Sequence, residues 1–400
     1  MIELGIDRLL REESLRRQFS GQRLALLGNQ ASMTSDFRHS MDALFQQGLR
    51  LSAAFGPQHG IRGEKQDNMQ ETPDDRDKAY EIPVFSLYSK TRRPTPEMMK
   101  TFDVLLVDLQ DVGTRIYTFL TTLLYVLEAC AAHKKKIVVL DRPNPAGRPV
   151  EGLRLEKGWT SFVGSAEGLP MRHGLTLGEA ARWFCDRLKI AADLTVVEMK
   201  NYRIDQAPGH GWPSELPWVN PSPNASTLSM ARAFPGTVLI EGTLLSEGRG
   251  TTRPLETIGG PNLDMERILV KMAELSPRWL QGCRLRKCFF MPTFHKHSGH
   301  IIPGLQIHVD EPFYDPHIFK PYRLVTLWLK SIRILYPHYP VYRDFQYEYE
   351  TERLAFDLIN GGPGLREWIE DPQATCQALD ERLRAAEEGW IEERKQYLLY

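Results

Sequence analysis

Cysteine is scarce and scattered: five thiols (Cys130, Cys185, Cys283, Cys288, Cys376), an odd number with no C-x-x-C pair. That pattern argues against a disulfide framework or a thiolate metal site and fits a reducing compartment. Long apolar runs are missing too. No stretch reaches the roughly 18 residues that a membrane-spanning helix needs. The N-terminal MIELGIDRLLREESLRRQF has the spacing of an amphipathic helix rich in both charges, unlike the apolar core of a signal peptide, so the expected location is the cytoplasm. Neither charge is in excess: 50 Lys and Arg face 51 Asp and Glu, a net of -1, which provides no field for nucleic acid or an anionic membrane. No G-x-x-x-x-G-K-[ST] occurs and no G-x-G-x-x-G follows a strand; Gly361-Gly362-Pro363-Gly364 is isolated and reads as a turn. No nucleotide or other cofactor is expected. The H-x-H-x-x-H cluster His295, His297 and His300, with Lys and Gly between, reads as a surface loop and not as a metal site.

What the chain does have is alternation. Four apolar runs end in polar loops: Leu24 to Leu27 before Gly28-Asn29-Gln30, Leu51 to Phe55 before GPQHGIRG, Val104 to Val107 before DLQDVGTR, and Ile137 to Leu140 before DRPNP. Helical spacing lies between them at Ser40 to Gly48, Tyr117 to His133 and Thr176 to Leu188. Leu194 to Val197 and Thr237 to Ile240 read as two more buried strands. The fold class expected is α/β: a Rossmann-like, largely parallel sheet with helices on both faces over residues 1–261. From residue 262 the texture changes, and a smaller α+β domain over 262–400 is expected to close the cleft. It carries strands at Cys283 to Phe294 and Gly304 to Val309 and helices at Tyr322 to Leu335 and Thr375 to Leu399. The Pro-, Gly- and Trp-rich segment Ala207 to Asn224 is too apolar for a free linker and should pack over that cleft.

Chemistry gathers where strands stop. EGTLLSEGRGTTRPLE (Glu241 to Glu256) holds three carboxylates, two guanidiniums and small residues that let backbone N–H groups approach a ligand, unless its acids and arginines merely pair in solvent. Asp111 with Arg115 is either a site or a helix N-cap. Asp141-Arg142-Pro143-Asn144 is a proline-stiffened turn, holding a ligand or stapled by its own ion pair. Trp218 to Asn224 repeats that device with an indole, Ser222 and amides. Acids, amides, arginines and tryptophans without a Ser-His-Asp set suit a carbohydrate.

An ordered series of motifs extends this reading. FGPQHGIRG (55–63), FSLYSKTRRPTPEM (85–98), VLLVDLQDVGTRIYTF (104–119), VVLDRPNPAG (138–147), VEGLRLE (150–156), SFVG (161–164), RHGLTLGE (172–179), PWVNPSPN (217–224), FPGTVLIEGTLLSEGRGTTRPLE (234–256) and YLLY (397–400) resemble, nearly end to end, the exo-β-N-acetylmuramidase (NamZ-type) glycoside hydrolases. The resemblance implies a Rossmann-like N-terminal domain, a smaller C-terminal one, and a cleft between them. That cleft would accept the terminal N-acetylmuramic acid of a peptidoglycan fragment, a carbohydrate or muropeptide, without metal or nucleotide.

One motif departs. Where the family shows Pro-Glu-His-Gly, this chain has Pro57-Gln58-His59-Gly60, and an amide cannot deliver an acidic proton. The acid is then expected from Glu247, with Glu241, Glu64 and Glu71 as substitutes, and His59 joins the catalytic set. Asp111 or Glu241 would orient water or steady the oxocarbenium-like transition state. Arg249, Arg253 and Arg62 would grip the lactyl carboxylate, while Asn29, Gln58, Asn144 and Asn224 would bind hydroxyls or the N-acetyl group. Arg115, Asp141, Arg142 and Ser222 complete the substrate-binding set. All of this requires Glu247, Asp111 and Arg142 to share one wall of an interdomain groove. Two rival readings stand beside it: a sugar sensor that has lost the acid, and a sugar-phosphate enzyme.

Overall fold

The computed structural model describes residues 1–63, 70–71, 73–310, 312–344 and 346–400. The N-terminal strands are β1 (Leu24–Gly28), β2 (Leu51–Gly56), β3 (Asp75–Arg76), β4 (Pro83–Ser86), β5 (Val104–Asp108), β6 (Lys136–Leu140), β7 (Glu151–Arg154), β8 (Pro170–Arg172) and β9 (Asp193–Val197). Seven form one sheet in the order β3-β4-β2-β1-β5-β6-β9, parallel except for the short β3 at the edge. β1 and β5 are buried along their whole length. They read as continuous apolar runs because helices cover both faces of a parallel sheet. The helices Ser40–Gln46, Phe119–Ala132 and Leu177–Arg187 fall where their spacing places them. The last is set by a capping box, in which Thr176 Oγ1 accepts from the Glu179 N–H and the Glu179 carboxylate accepts from the Thr176 N–H.

From β1 the chain steps outward through β2 to β4, then returns to β5 and runs the other way through β6 to β9. The order reverses between β1 and β5, and the loops beyond their carboxyl ends frame a crevice there. In the C-terminal part β10 (Thr257–Gly259), β11 (Arg284–Phe290) and β12 (Ile302–His308) form an antiparallel sheet in the order β10-β12-β11, with helix Met265–Leu275 packed on β12; helices Pro321–Leu335 and Cys376–Arg394 follow. The terminal helix packs back on the first part, its Trp390 ring perpendicular to that of Trp183 at 5.1 Å.

One expected strand is not a strand. Thr237 to Ile240 is the end of helix Leu228–Thr237 and the start of a 3-10 turn, Val238–Gly242. Thr227 caps that helix by accepting from the Met230 N–H. A four-residue apolar run carries no period of its own, and here every one of its residues is buried, so it is apolar all round.

Four residues expected to touch a ligand hold the frame instead. Arg142 is clamped on Asp108 through Nε (2.5 Å) and Nη2 (2.9 Å), both side chains buried. Asp141 accepts from Thr176 Oγ1 (2.7 Å), the Gly178 N–H (2.8 Å) and the Tyr400 hydroxyl (3.0 Å). Asn144 closes its own turn on the Ala146 N–H and donates to Leu175 O (3.0 Å). Arg115, fully buried, donates to four main-chain carbonyls, those of Leu153, Leu169, Ile359 and Asn360, and so ties the two parts of the chain together. Strand ends and turns leave buried carbonyls and N–H groups without ladder partners, and these side chains satisfy them, the arginines and the Asn144 amide as donors and Asp141 as an acceptor.

Asp111 caps no helix; Thr118 is the N-cap of Phe119–Ala132. Its Oδ2 accepts from the Gly113 N–H at 2.6 Å. Gly113 sits at φ 76°, where a Cβ would lie 2.1 Å from Asn144 Oδ1, so the turn admits no side chain. Burial pushes the Asp111 carboxyl up to about 7, against the pull of the Gly113 and Val112 N–H groups. His173 Nε2 lies 3.7 Å from it. Burial, together with Arg394 and Arg115, pushes that imidazole down to about 3, so it is neutral and brings no balancing charge.

Two outcomes follow for stability. Arg115→Met strands four buried carbonyls and should cost about 3 kcal/mol or more in urea unfolding; an unchanged midpoint would contradict the bridging role. For Asp111, a folded pKa of about 7 against roughly 3.9 unfolded means the folded state holds the proton more tightly. Its contribution is complete below the unfolded pKa and is lost as pH rises through the folded one. Asp111→Asn should therefore resist urea better than wild type at pH 8 but not at pH 4, and a pH-independent difference would refute this.

Candidate active site

A cavity of about 460 Å³ opens beyond the carboxyl ends of β2 and β5. Its floor is Gln58 and His59 after β2 and Ile116 to Thr118 after β5; Ser222 and Asn224 form one wall, and Glu241, Arg249, Tyr347 and Glu348 of the C-terminal half close it. The turn Pro57-Gln58-His59-Gly60 is tight, with Gly60 N–H donating to Pro57 O at 2.9 Å and φ of 73° at His59. A left-handed residue other than glycine costs on the order of 1–2 kcal/mol, and here the turn presents Gln58 and His59 to the cavity.

Glu348 stands opposite. Its Oε1 accepts from Gln58 Nε2 (3.2 Å) and its Oε2 from the Tyr88 hydroxyl (2.6 Å), while Thr118 Oγ1 donates to Gln58 Oε1 (2.7 Å). These two donors, Gln58 and Tyr88, are neutral. Burial therefore dominates, reinforced by the nearby Glu241 charge, and raises the Glu348 pKa despite those hydrogen bonds and a more distant Arg92. Glu348 and Tyr349 have φ of 46° and 71°, and Tyr347 and Glu350 exchange main-chain hydrogen bonds across them. A two-residue turn with both central residues left-handed favours Asn-Gly; Glu-Tyr there is backbone strain at a binding cavity.

The second acid, Glu241, receives Arg249 Nη2 at 2.6 Å and the Tyr347 hydroxyl at 2.8 Å. Arg249 also lies against Glu247, Nε to Oε1 at 3.2 Å. Glu247 itself is fully buried behind the cavity, with Lys296 Nζ at 2.6 Å and His295 Nδ1 at 3.4 Å. Burial would raise its pKa, but Lys296, Arg249 and His295 together outweigh burial and hold it well below the ordinary range. A carboxyl so firmly ionised is no proton donor at neutral pH, and the expectation that Glu247 is the acid is corrected to an anchoring role.

Of the expected residues, Gln58, His59, Ser222, Asn224, Glu241 and Arg249 meet at the cavity. Asp111 stays one layer back, close enough for its charge to act on the Tyr117 phenol, which does line the cavity. Glu247, Asp111 and Arg142 thus share no wall, so the arrangement required of those three fails, and a site at this cavity rests instead on the six residues above with Tyr347 and Glu348. Asn29 positions rather than lines, its Nδ2 donating to Pro221 O (3.0 Å) beside Gln30 Nε2 on Asn220 O (2.6 Å); together they hold the segment that carries Ser222 and Asn224. Arg253 is half exposed on Glu256 and faces a neighbouring groove, and Arg62 is half exposed on Asp77. Glu71 pairs at the surface with Arg92, and Glu64 lies outside the described residues. The three loop imidazoles diverge, His295 to Glu247, His297 to Leu244 O and His300 to Ser298 O.

Glu348, Tyr347 and Tyr88 escaped sequence reasoning. Glu348 is 290 positions from Gln58, and its only trace is the alternation Tyr347-Glu348-Tyr349-Glu350, which matches no catalytic motif.

Models of the exo-beta-N-acetylmuramidase NamZ family match twice, the N-terminal one over residues 24–229 and the C-terminal one over 232–400. The chain is 37% identical over 401 residues to the peptidoglycan beta-N-acetylmuramidase NamZ of Bacillus subtilis (strain 168), covering 100% of this chain and 91% of that protein. Two crystal structures of DUF1343 family proteins from Bacteroides fragilis NCTC 9343 superpose with TM-scores of 0.85 and 0.77, each at 27% identity and covering 100% of this chain and 99% of theirs. With both halves matched and a relative aligned from end to end, the chain belongs to the exo-beta-N-acetylmuramidase NamZ family.

Proposed function

We propose that the protein is a glycoside hydrolase of peptidoglycan fragments that releases a terminal N-acetylmuramic acid in cell-wall turnover or recycling. One observation carries the mechanism: two buried carboxyl groups in unlike company face one sugar-sized cavity, Glu348 held by neutral donors and Glu241 by a guanidinium. Unlike environments are what divide acid from anion in such a pair. Glu348 donates its proton to the glycosidic oxygen as the C–O bond breaks. The Glu241 carboxylate, fixed by Arg249 and Tyr347, supports positive charge on the anomeric carbon and takes a proton from the water whose oxygen bonds to that carbon as the new hydroxyl; that proton passes to solvent, from which Glu348 is reprotonated. His59, Ser222 and Asn224 supply hydrogen bonds to ring substituents. Of the three arginines expected at the lactyl carboxylate, only Arg249 lines the cavity.

Gln58 in place of an acid favours one rival, a sugar-binding protein without turnover. Incubation with a chromogenic N-acetylmuramic acid glycoside beside its N-acetylglucosamine counterpart separates the two: release from the first is expected, and release from neither would favour the rival. Glu348→Gln should lower kcat about 10²–10⁴-fold with KM little changed. Because the acid works protonated, wild-type kcat should fall as pH rises through the raised Glu348 pKa, and the variant should lack that limb. Survival of the limb would remove Glu348 from the role. Glu247→Gln leaves Lys296 and Arg249 short of a counter-charge and should cost about 3–5 kcal/mol of stability. A fully stable variant with selectively lost kcat would restore Glu247 as the acid.

A further inference from the structure

Beside the cavity lies a second, more open groove of about 920 Å³. We propose that it holds the sugar ring on the far side of the bond to be cut, an N-acetylated hexosamine; this rests on the hydrolase reading above. Two tryptophans line it. Trp212 and Trp218 stand nearly perpendicular with ring centroids 4.9 Å apart. Both indole N–H groups are engaged by the protein, Trp212 on Leu216 O (2.6 Å) and Trp218 on Ala225 O (2.9 Å). Trp212 is buried and backs the partly buried Trp218, so what this wall can offer a ligand is the open ring surface of Trp218, which suits the C–H face of a pyranose. Around them stand polar groups of both signs: Arg253, half exposed, and Asp310, which accepts from Ser229 Oγ at 2.7 Å. Arg232 also lines the groove, but it is buried, with Nη1 donating to Val309 O (3.0 Å) and Nη2 to Gly209 O (3.1 Å), and Arg253 is paired with Glu256; an aromatic wall whose guanidiniums already have partners fits a neutral, hydroxyl-rich ring better than a phosphate or a purely apolar group.

The chain bounds how far apart the two sites are. Ser222 lines the cavity and Trp218 the groove, and four residues of fully extended chain span at most about 14 Å. Leu255 lines the cavity and Arg253 the groove, and two residues span at most about 7 Å. Adjacent rings of one glycan can bridge such a separation. This places Arg253, first expected at the lactyl carboxylate, against the departing part of the substrate.

The test compares two substrates. N-acetylmuramyl fluoride has a single-atom leaving group that cannot reach the groove, whereas the disaccharide of N-acetylmuramic acid linked to N-acetylglucosamine should fill it. In both Trp218→Ala and Arg253→Ala, the ratio of kcat/KM for the disaccharide to that for the fluoride should fall, about tenfold for the tryptophan, the order expected for one lost stacking contact. The ratio corrects for any loss of folded protein, and the half-exposed Arg253 gives a variant that does not disturb packing. A wild-type ratio in both variants would overturn the groove assignment while leaving the hydrolase intact. Wild-type protein inert on both substrates would instead sink the hydrolase reading, and the groove with it.

Discussion

The site depends on a single guanidinium. Arg249 sits between Glu241 at the cavity and Glu247 behind it, and Lys296 supplies the second positive charge that two buried carboxylates require. Ion pairs removed from water survive only with close geometry and complete partners. This one meets the condition by drawing on three stretches of chain: the 3-10 turn Val238–Gly242, the glycine-punctuated loop after it, and the loop following β11. The cluster anchors the C-terminal half at the place where Glu241 must stand, and Tyr347, bonded to the same carboxylate, carries the adjoining Glu348 into position.

Company rather than burial decides what each acid can do. Glu247, Glu348 and Asp111 are all buried, yet they divide into three roles. Cations hold the Glu247 carboxyl well below the ordinary range. Neutral donors leave Glu348 raised by burial and by the negative charge of Glu241. Asp111, with two backbone N–H groups and a neutral imidazole for neighbours, is raised as well but stands behind Tyr117, out of a substrate's reach. Gln58 belongs to the same logic. An amide in the place of an acid removes one proton donor, but it also orients the carboxyl across the cavity without adding charge.

Part of this was legible from residue order. The apolar runs at β1, β2, β5, β6 and β9 announced a covered parallel sheet, and helical spacing announced the helix that begins after Thr176. Thr237 to Ile240 misled because four buried apolar residues look alike in a strand and in a helix surrounded on all sides. At the site, Gln58, His59, Glu241 and Arg249 were recognisable because they follow apolar runs at the start of polar stretches, and Ser222 and Asn224 because they lie on a proline-stiffened segment. Arg115, Asp141, Arg142 and Asn144 met the same criteria and serve the frame, since the groups that grip sugar hydroxyls also satisfy buried carbonyls and N–H groups.

Sequence alone therefore determined what is local in the chain: which segments are apolar enough to be covered, where turns must fall, which loops carry acids and arginines, and that an amide stands at position 58. Only the tertiary structure decided which carboxyl is pushed up and which is held down. A pKa is set by everything within a few ångströms, and the neighbours that matter here, Tyr88, Gln58 and Glu241 around Glu348, come from places in the chain up to 290 residues away.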